Sequence, residues 1–167
     1  MNNINNINNW KQEDTRIKDL YYWIYQKDLK SSFPFEETSV ELIADHTPEG
    51  NDINLFDFNF ISSIIQAIDT YFEIAINGIK EEINKDHTLF GITQKKTAEY
   101  LNMPAISFPV NQPSILFYRD GTWMIRFAEA DFPTVDYGLG IGITFDKEKI
   151  TDISILDSDE IIEEDIL

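Results

Sequence analysis

The chain has 167 residues, 13 basic and 30 acidic side chains, a net charge of −17 and no cysteine. That length suits one domain able to bury a sizeable core without a metal or disulfide staple. Lack of cysteine excludes disulfides, thiolate metal sites and cysteine nucleophiles, and the acid surplus disfavours direct nucleic-acid binding, which draws its affinity from Lys and Arg.

The start, MNNINNINNW, lacks the basic-then-apolar order of a secretory signal, and no apolar run approaches the roughly 18 residues that suggest a membrane span. These features predict a cytoplasmic protein, and the Asn/Ile/Lys-rich usage suits a bacterial source. Charge is uneven: residues 1–30 sum to +1, 31–100 to −9, 101–145 to −2 and 146–167 to −7. Such a surface aids solubility, and it also attracts a basic protein partner and speeds the encounter.

Residues 1–9 read as a disordered Asn-rich tail, and residues 10–167 as a single α+β domain. Residues 10–30 read as a helix, because Ile17, Leu20, Tyr21 and Ile24 fall at helical spacing. Tyr22, Trp23 and Tyr25 widen the apolar arc, which means burial on two sides or an aromatic patch offered to a partner. SSFPFEET breaks that element at Pro34. Residues 39–45 suit a strand or a helical turn, and residues 46–54 a loop.

Residues 57–84 carry the strongest helical period: Ile61, Ile64, Ile65, Ile68, Phe72, Ala75, Ile76, Ile79 and Ile83 form one stripe. Gly78 within it is a weak point worth about 1 kcal/mol against alanine. A third helix is expected over 93–102, with Thr93 as N-cap and Pro104 beyond its end. It resembles the first half of a helix-turn-helix, yet AISFPVNQPS supplies no recognition helix.

From about residue 105 the period changes to two. AISFPV reads as a strand demoted toward an edge by Pro109; the two runs flanking Asp120-Gly121 (a type I′ turn signal), GLGIGITF and ITDISIL then predict an antiparallel meander of about four strands. Helices before strands then predict N-terminal helices packed on a C-terminal sheet.

Gly138, Gly140 and Gly142 do not make a dinucleotide loop. The third glycine of G-x-G-x-x-G is missing, since Ile143 or Phe145 stands there, and no helix follows. A strand reading puts Leu139, Ile141, Ile143 and Phe145 into the core and leaves a flat glycine face, covered from within or by a partner.

His46 and His87 lie in predicted loops without paired-ligand spacing, so no metal site and no cofactor are expected. Carboxylates at Glu129, Asp131 and Asp136, beside Tyr137, flank a loop near the sheet; Asp157, Asp159, Glu160, Glu163 and Glu164 crowd the C-terminus. Both groups are candidate partner-binding residues. A catalytic carboxylate pair is a competing reading of the first group.

The elements Trp123 to Phe127, Glu129 to Asp136 and Tyr137 to Ile143 resemble a pattern in small bacterial domains of the polymorphic-toxin immunity type. The resemblance spans about residues 122–153. It implies a non-enzymatic acidic protein that occludes a basic toxin domain. A small hydrolase and a homo-oligomerising structural domain are the alternatives, and the oligomeric state is open.

Overall fold

The computed structural model describes residues 3–13, 20–136 and 138–157. Seven strands form one sheet in sequence order: β1 (Trp10–Glu13), β2 (Leu20–Tyr25), β3 (Ser39–Asp45), β4 (Val110–Tyr118), β5 (Thr122–Ala130), β6 (Ile141–Asp146) and β7 (Lys149–Ile155). Every neighbouring pair is antiparallel except β3–β4, which is parallel. A parallel pair needs a long crossover. This one carries the helices α1 (Phe58–Gln66), α2 (Ile68–Lys85) and α3 (Gln94–Asn102).

The class is α+β, but a four-stranded meander with N-terminal helices is not its arrangement. The helices lie mid-chain, and residues 10–30 contribute β1 and β2, not a helix. In β2, LYYWIY, nearly every position is apolar, so helical spacing is satisfied by accident. Six aromatic or branched residues in a row suit a strand with two apolar faces. Trp23 and Tyr25 are buried while Tyr22 and Ile24 face the other way. Trp10 and Tyr25 oppose each other across β1 and β2, their rings 5.1 Å apart, and the Trp10 indole N–H donates to the Ile4 carbonyl at 2.9 Å. Ile4 is itself buried, so the Asn-rich start contributes to the core.

Several local details also differ from expectation. The helix over 57–84 is two helices meeting at Ala67, with no proline or glycine at the break. Residues 105–107 form a short 3-10 helix, and β4 starts only at Val110, after Pro109. The β4–β5 turn is not type I′: Gly121 has φ +91° while Asp120 does not share the positive φ that turn needs. The Gly121 N–H bonds to the Tyr118 carbonyl at 3.3 Å. At α3, Thr93 occupies the N-cap position without a side-chain hydrogen bond.

One sheet face is covered by α2. Phe72 meets Phe33, Phe35 and Phe127, and Tyr71 meets Trp123 and Phe145. Gly78 has a packing reason: a Cβ there would lie 2.9 Å from the terminal methyls of Ile150 and Ile153 on β7. A side chain at this position would have to displace the ends of both isoleucines.

Asp69, in the first turn of α2, ties down the β2–β3 connection. Its carboxylate accepts from both the Ser31 and Ser32 hydroxyls (2.5 and 2.6 Å) and the Ser32 N–H (2.9 Å). Burial alone would raise its pKa, but these hydrogen bonds outweigh that and hold it below the ordinary Asp value. A carboxyl that titrates lower in the folded chain contributes fully above the unfolded value, near pH 4, and its contribution is lost as pH falls through the folded value. Asp69→Asn is therefore expected to cost about 1 kcal/mol at pH 7. In urea titrations the gap from the parent should narrow below about pH 4; a pH-independent gap would contradict this role.

Candidate functional site

Three Phe-Pro steps stand apart in the sequence, at Phe33-Pro34, Phe108-Pro109 and Phe132-Pro133. Proline forces the residue before it into extended backbone and cannot donate to a strand ladder. Each step lies outside the regular strands and helices and leaves a phenylalanine on an irregular segment. The fold brings the three segments together at one end of the sheet, where β4 begins and β5 ends. There they line a cleft of about 590 Å³, with Phe35, Phe108, Phe132 and Val135 as apolar walls.

The walls are held from behind. Phe132 packs on Phe90, Tyr100 and Phe108, with ring centroids 5.6, 5.4 and 5.9 Å away. The Asp131 N–H bonds to the Pro109 carbonyl at 3.0 Å, and the Thr134 hydroxyl bonds to the Leu89 carbonyl at 2.6 Å. Asn111, opposite Glu129 in the β4–β5 register, accepts from the Glu36 N–H at 2.9 Å and the Gln112 N–H at 2.8 Å. Gln112 itself has φ +51°, a left-handed conformation rare for a non-glycine residue. Backbone strain of this kind persists only where the surroundings over-determine it, and it gathers at working sites.

Glu129 and Asp131, two residues apart across the end of β5, both line this cleft. Glu129 is half-buried, Asp131 is exposed, and neither belongs to an ion pair among the described residues. Ile106, also lining the cleft, is 53% exposed, an unusual position for a large apolar side chain. The arrangement is an apolar trough with a carboxylate rim. It suits a ligand with an apolar body and a cationic head.

The other expected site residues are not gathered here. Asp136 is exposed in the loop before β6 and lies outside the cleft; its carbonyl accepts from the Leu139 and Gly140 N–H groups. Asp157 follows β7, exposed, at the sheet edge. Tyr137, Asp159, Glu160, Glu163 and Glu164 lie outside the described residues. Phe35, Phe108 and Ile106 escaped the sequence reading because each sat in a stretch read as a breaker or a strand. The repeated Phe-Pro step is the signal that would have found the first two.

A second cavity, of about 700 Å³, opens at the opposite end of the sheet among Asp57, Phe60, Asp120, Asp146 and the 147–149 turn. Two of its carboxylates are already occupied. Asp57 caps α1 through the Phe60 N–H (3.1 Å), and Asp120 accepts from the Thr122 hydroxyl and N–H, which hold its pKa low. Neither histidine is placed as a ligand: His46 stacks on Tyr21, and His87 Nδ1 lies 2.6 Å from the Ile92 carbonyl. Among the described residues, no group of three His, Asp or Glu side chains is placed to hold a metal ion. None of the described helices is long and apolar enough to cross a membrane.

The Gly138–Gly142 stretch is only partly strand. Gly138 and Gly140 have φ +87° and +80° in the turn before β6, which starts at Ile141. Ile141, Ile143 and Phe145 are fully buried. Over Gly142 lie Met124 and Leu156, so the flat spot is covered from within. Comparison with family models, curated proteins and solved structures finds no match to this chain.

Proposed function

We propose that the chain is a non-enzymatic, acidic protein-binding domain that occludes a basic protein partner, in the manner of an immunity protein against a toxin domain. The observation that carries this reading is the cleft: an apolar trough with an exposed Ile106 at its wall and the carboxylates of Glu129 and Asp131 on its rim. A partner loop would seat an apolar anchor against Phe35, Phe108 and Phe132 and pair an adjacent Lys or Arg with the rim. Desolvated anchors of this kind supply most of the energy of an interface. The net charge of −17 would steer such a partner and speed its encounter.

The test is capture from the native host with the parent chain and with the Glu129→Gln/Asp131→Asn double variant. The parent is expected to retain a basic protein. The double variant should associate with that protein about tenfold more slowly, and raising salt toward 1 M should shrink the difference. Equal association rates for both chains would remove the rim from the interface.

A two-carboxylate hydrolase is the second reading, favoured by Glu129 and Asp131 sharing one cleft. It requires turnover of a glycoside or related substrate, abolished by either single substitution. The binding reading requires none.

A further inference from the structure

Glu129 breaks a pattern. Trp123, Ile125 and Phe127 alternate along β5 onto the face that α2 covers, and all three are fully buried. The same alternation carries Glu129 onto that face. A carboxylate at a core-facing position must be solvated or paired. Glu129 instead opens into the cleft, half-buried, with no ion pair or side-chain hydrogen bond among the described residues.

Asn111 stands opposite Glu129 in the β4–β5 register and lines the same cleft. Opposed residues of an antiparallel pair hold their Cβ atoms about 5 Å apart on one face. The Asn111 carboxamide oxygen is committed to the Glu36 and Gln112 N–H groups, and a flipped amide would lose both bonds. Its amino group therefore remains as a pair of N–H donors. That group makes no hydrogen bond among the described residues, and it is not sealed from solvent.

A carboxylate, two N–H donors and an apolar wall are thus gathered within the span of one residue. The complementary ligand carries a cation, a carbonyl and an apolar group together on one carbon atom. The first residue of a polypeptide with a free amino end has that form, because its α-ammonium, its carbonyl and its side chain all hang from one Cα. An internal lysine does not, since a four-carbon stem parts its charge from its backbone. It suits Asp131, which is exposed on the rim. A cleft of about 590 Å³ is the size of a small-molecule pocket, with room for the first few residues of a chain.

We propose that the cleft captures the free amino terminus of a partner polypeptide that begins with a large apolar residue. The α-ammonium pairs with Glu129, and the first carbonyl accepts from the Asn111 Nδ2 amino group. The first side chain lies against Phe35 and Phe108, and a basic residue further along the partner meets Asp131. This inference rests on the cleft being a protein-binding site and names the group it takes.

The test titrates the intact chain with the peptide Leu-Ala-Lys-Ala, labelled at its C-terminal end and followed by fluorescence anisotropy, and with the Nα-acetylated form of the same peptide. Acetylation keeps the leucine and the lysine and removes only the α-charge. The free peptide is expected to bind roughly tenfold more tightly than the acetylated one. Gly-Ala-Lys-Ala should lose a similar factor. Glu129→Gln should weaken the free peptide roughly tenfold and leave the acetylated peptide unchanged, whereas Asp131→Asn should weaken both alike. The comparison of free and acetylated peptides needs no variant, so it does not depend on how Glu129→Gln folds. Equal affinities would overturn the proposal and leave the cleft as a protein-binding site. So would failure of every peptide to bind a chain that still captures a basic host protein. A chain that binds no peptide and captures no protein would overturn the protein-binding reading as well.

Discussion

Trp123→Ala is expected to be the most damaging substitution in the core, lowering stability by about 3–5 kcal/mol. Trp123 is fully buried and stands at the centre of the aromatic layer between sheet and helices. It stacks on Phe145 at 4.2 Å and Phe117 at 5.7 Å, and Tyr71 of α2 meets it edge-on at 5.0 Å. Those partners come from three different elements, so the void left by alanine has no single neighbour able to fill it. The indole N–H also donates to the Lys147 carbonyl at 2.7 Å, fixing the β6–β7 turn. Most domains are stable by only about 5–15 kcal/mol, so the variant should be largely unfolded in modest urea. Trp123→Phe keeps the stacking and loses the donor; because Lys147 is exposed, water can take the carbonyl and the loss should stay near 1–2 kcal/mol. Urea unfolding followed by circular dichroism checks both. Similar losses in the two variants would show that the hydrogen bond, not the packing, dominates.

Gly140→Ala should be nearly as harmful, at roughly 3 kcal/mol or more, whereas Gly138→Ala should cost about 1–2 kcal/mol. Both residues hold positive φ, so both carry the penalty of a left-handed conformation. Their surroundings differ. A Cβ at Gly140 would fall 1.7 Å from the Phe127 carbonyl oxygen, inside the backbone of β5, and no side-chain rotation relieves that. At Gly138 nothing lies within 4 Å. Two alanines two residues apart thus separate conformational strain from backbone collision. Equal effects would mean that the β5 backbone moves aside. The position matters for the cleft as well, since a shifted Phe127 would move the strand that carries Glu129.

The legible parts of this fold were those where a period was unambiguous. The isoleucine stripe over 61–83 could only be helix, and the alternation of Trp123, Ile125 and Phe127 could only be strand. Residues 20–25 failed because a run that is apolar on both faces satisfies either period. What decided it was the pairing with β3, Trp23 opposite Leu42, and with β1, Trp10 opposite Tyr25. The parallel β3–β4 pair was equally hidden. Residues 39–45 and 110–118 are separated by three helices, and no local signal records that they meet.

The candidate site divides in the same way. Glu129 and Asp131 were identifiable as acids beside a strand end. The trough beneath them was not, because its walls come from residues 35, 106–108 and 132, which share no local pattern except the Phe-Pro step. By itself the sequence determined the charge, the absence of cysteine chemistry, the α+β class and the inward faces of the isoleucine-striped helices and of β5, all of which depend on composition or on neighbours a few residues away. Tertiary structure alone decided that the N-terminal segment joins the sheet, that the order runs through seven strands, and that three proline-ended segments close around one cleft. Those outcomes depend on pairings between residues up to a hundred positions apart, where the free energy lies in the contact and neither partner carries a mark of it.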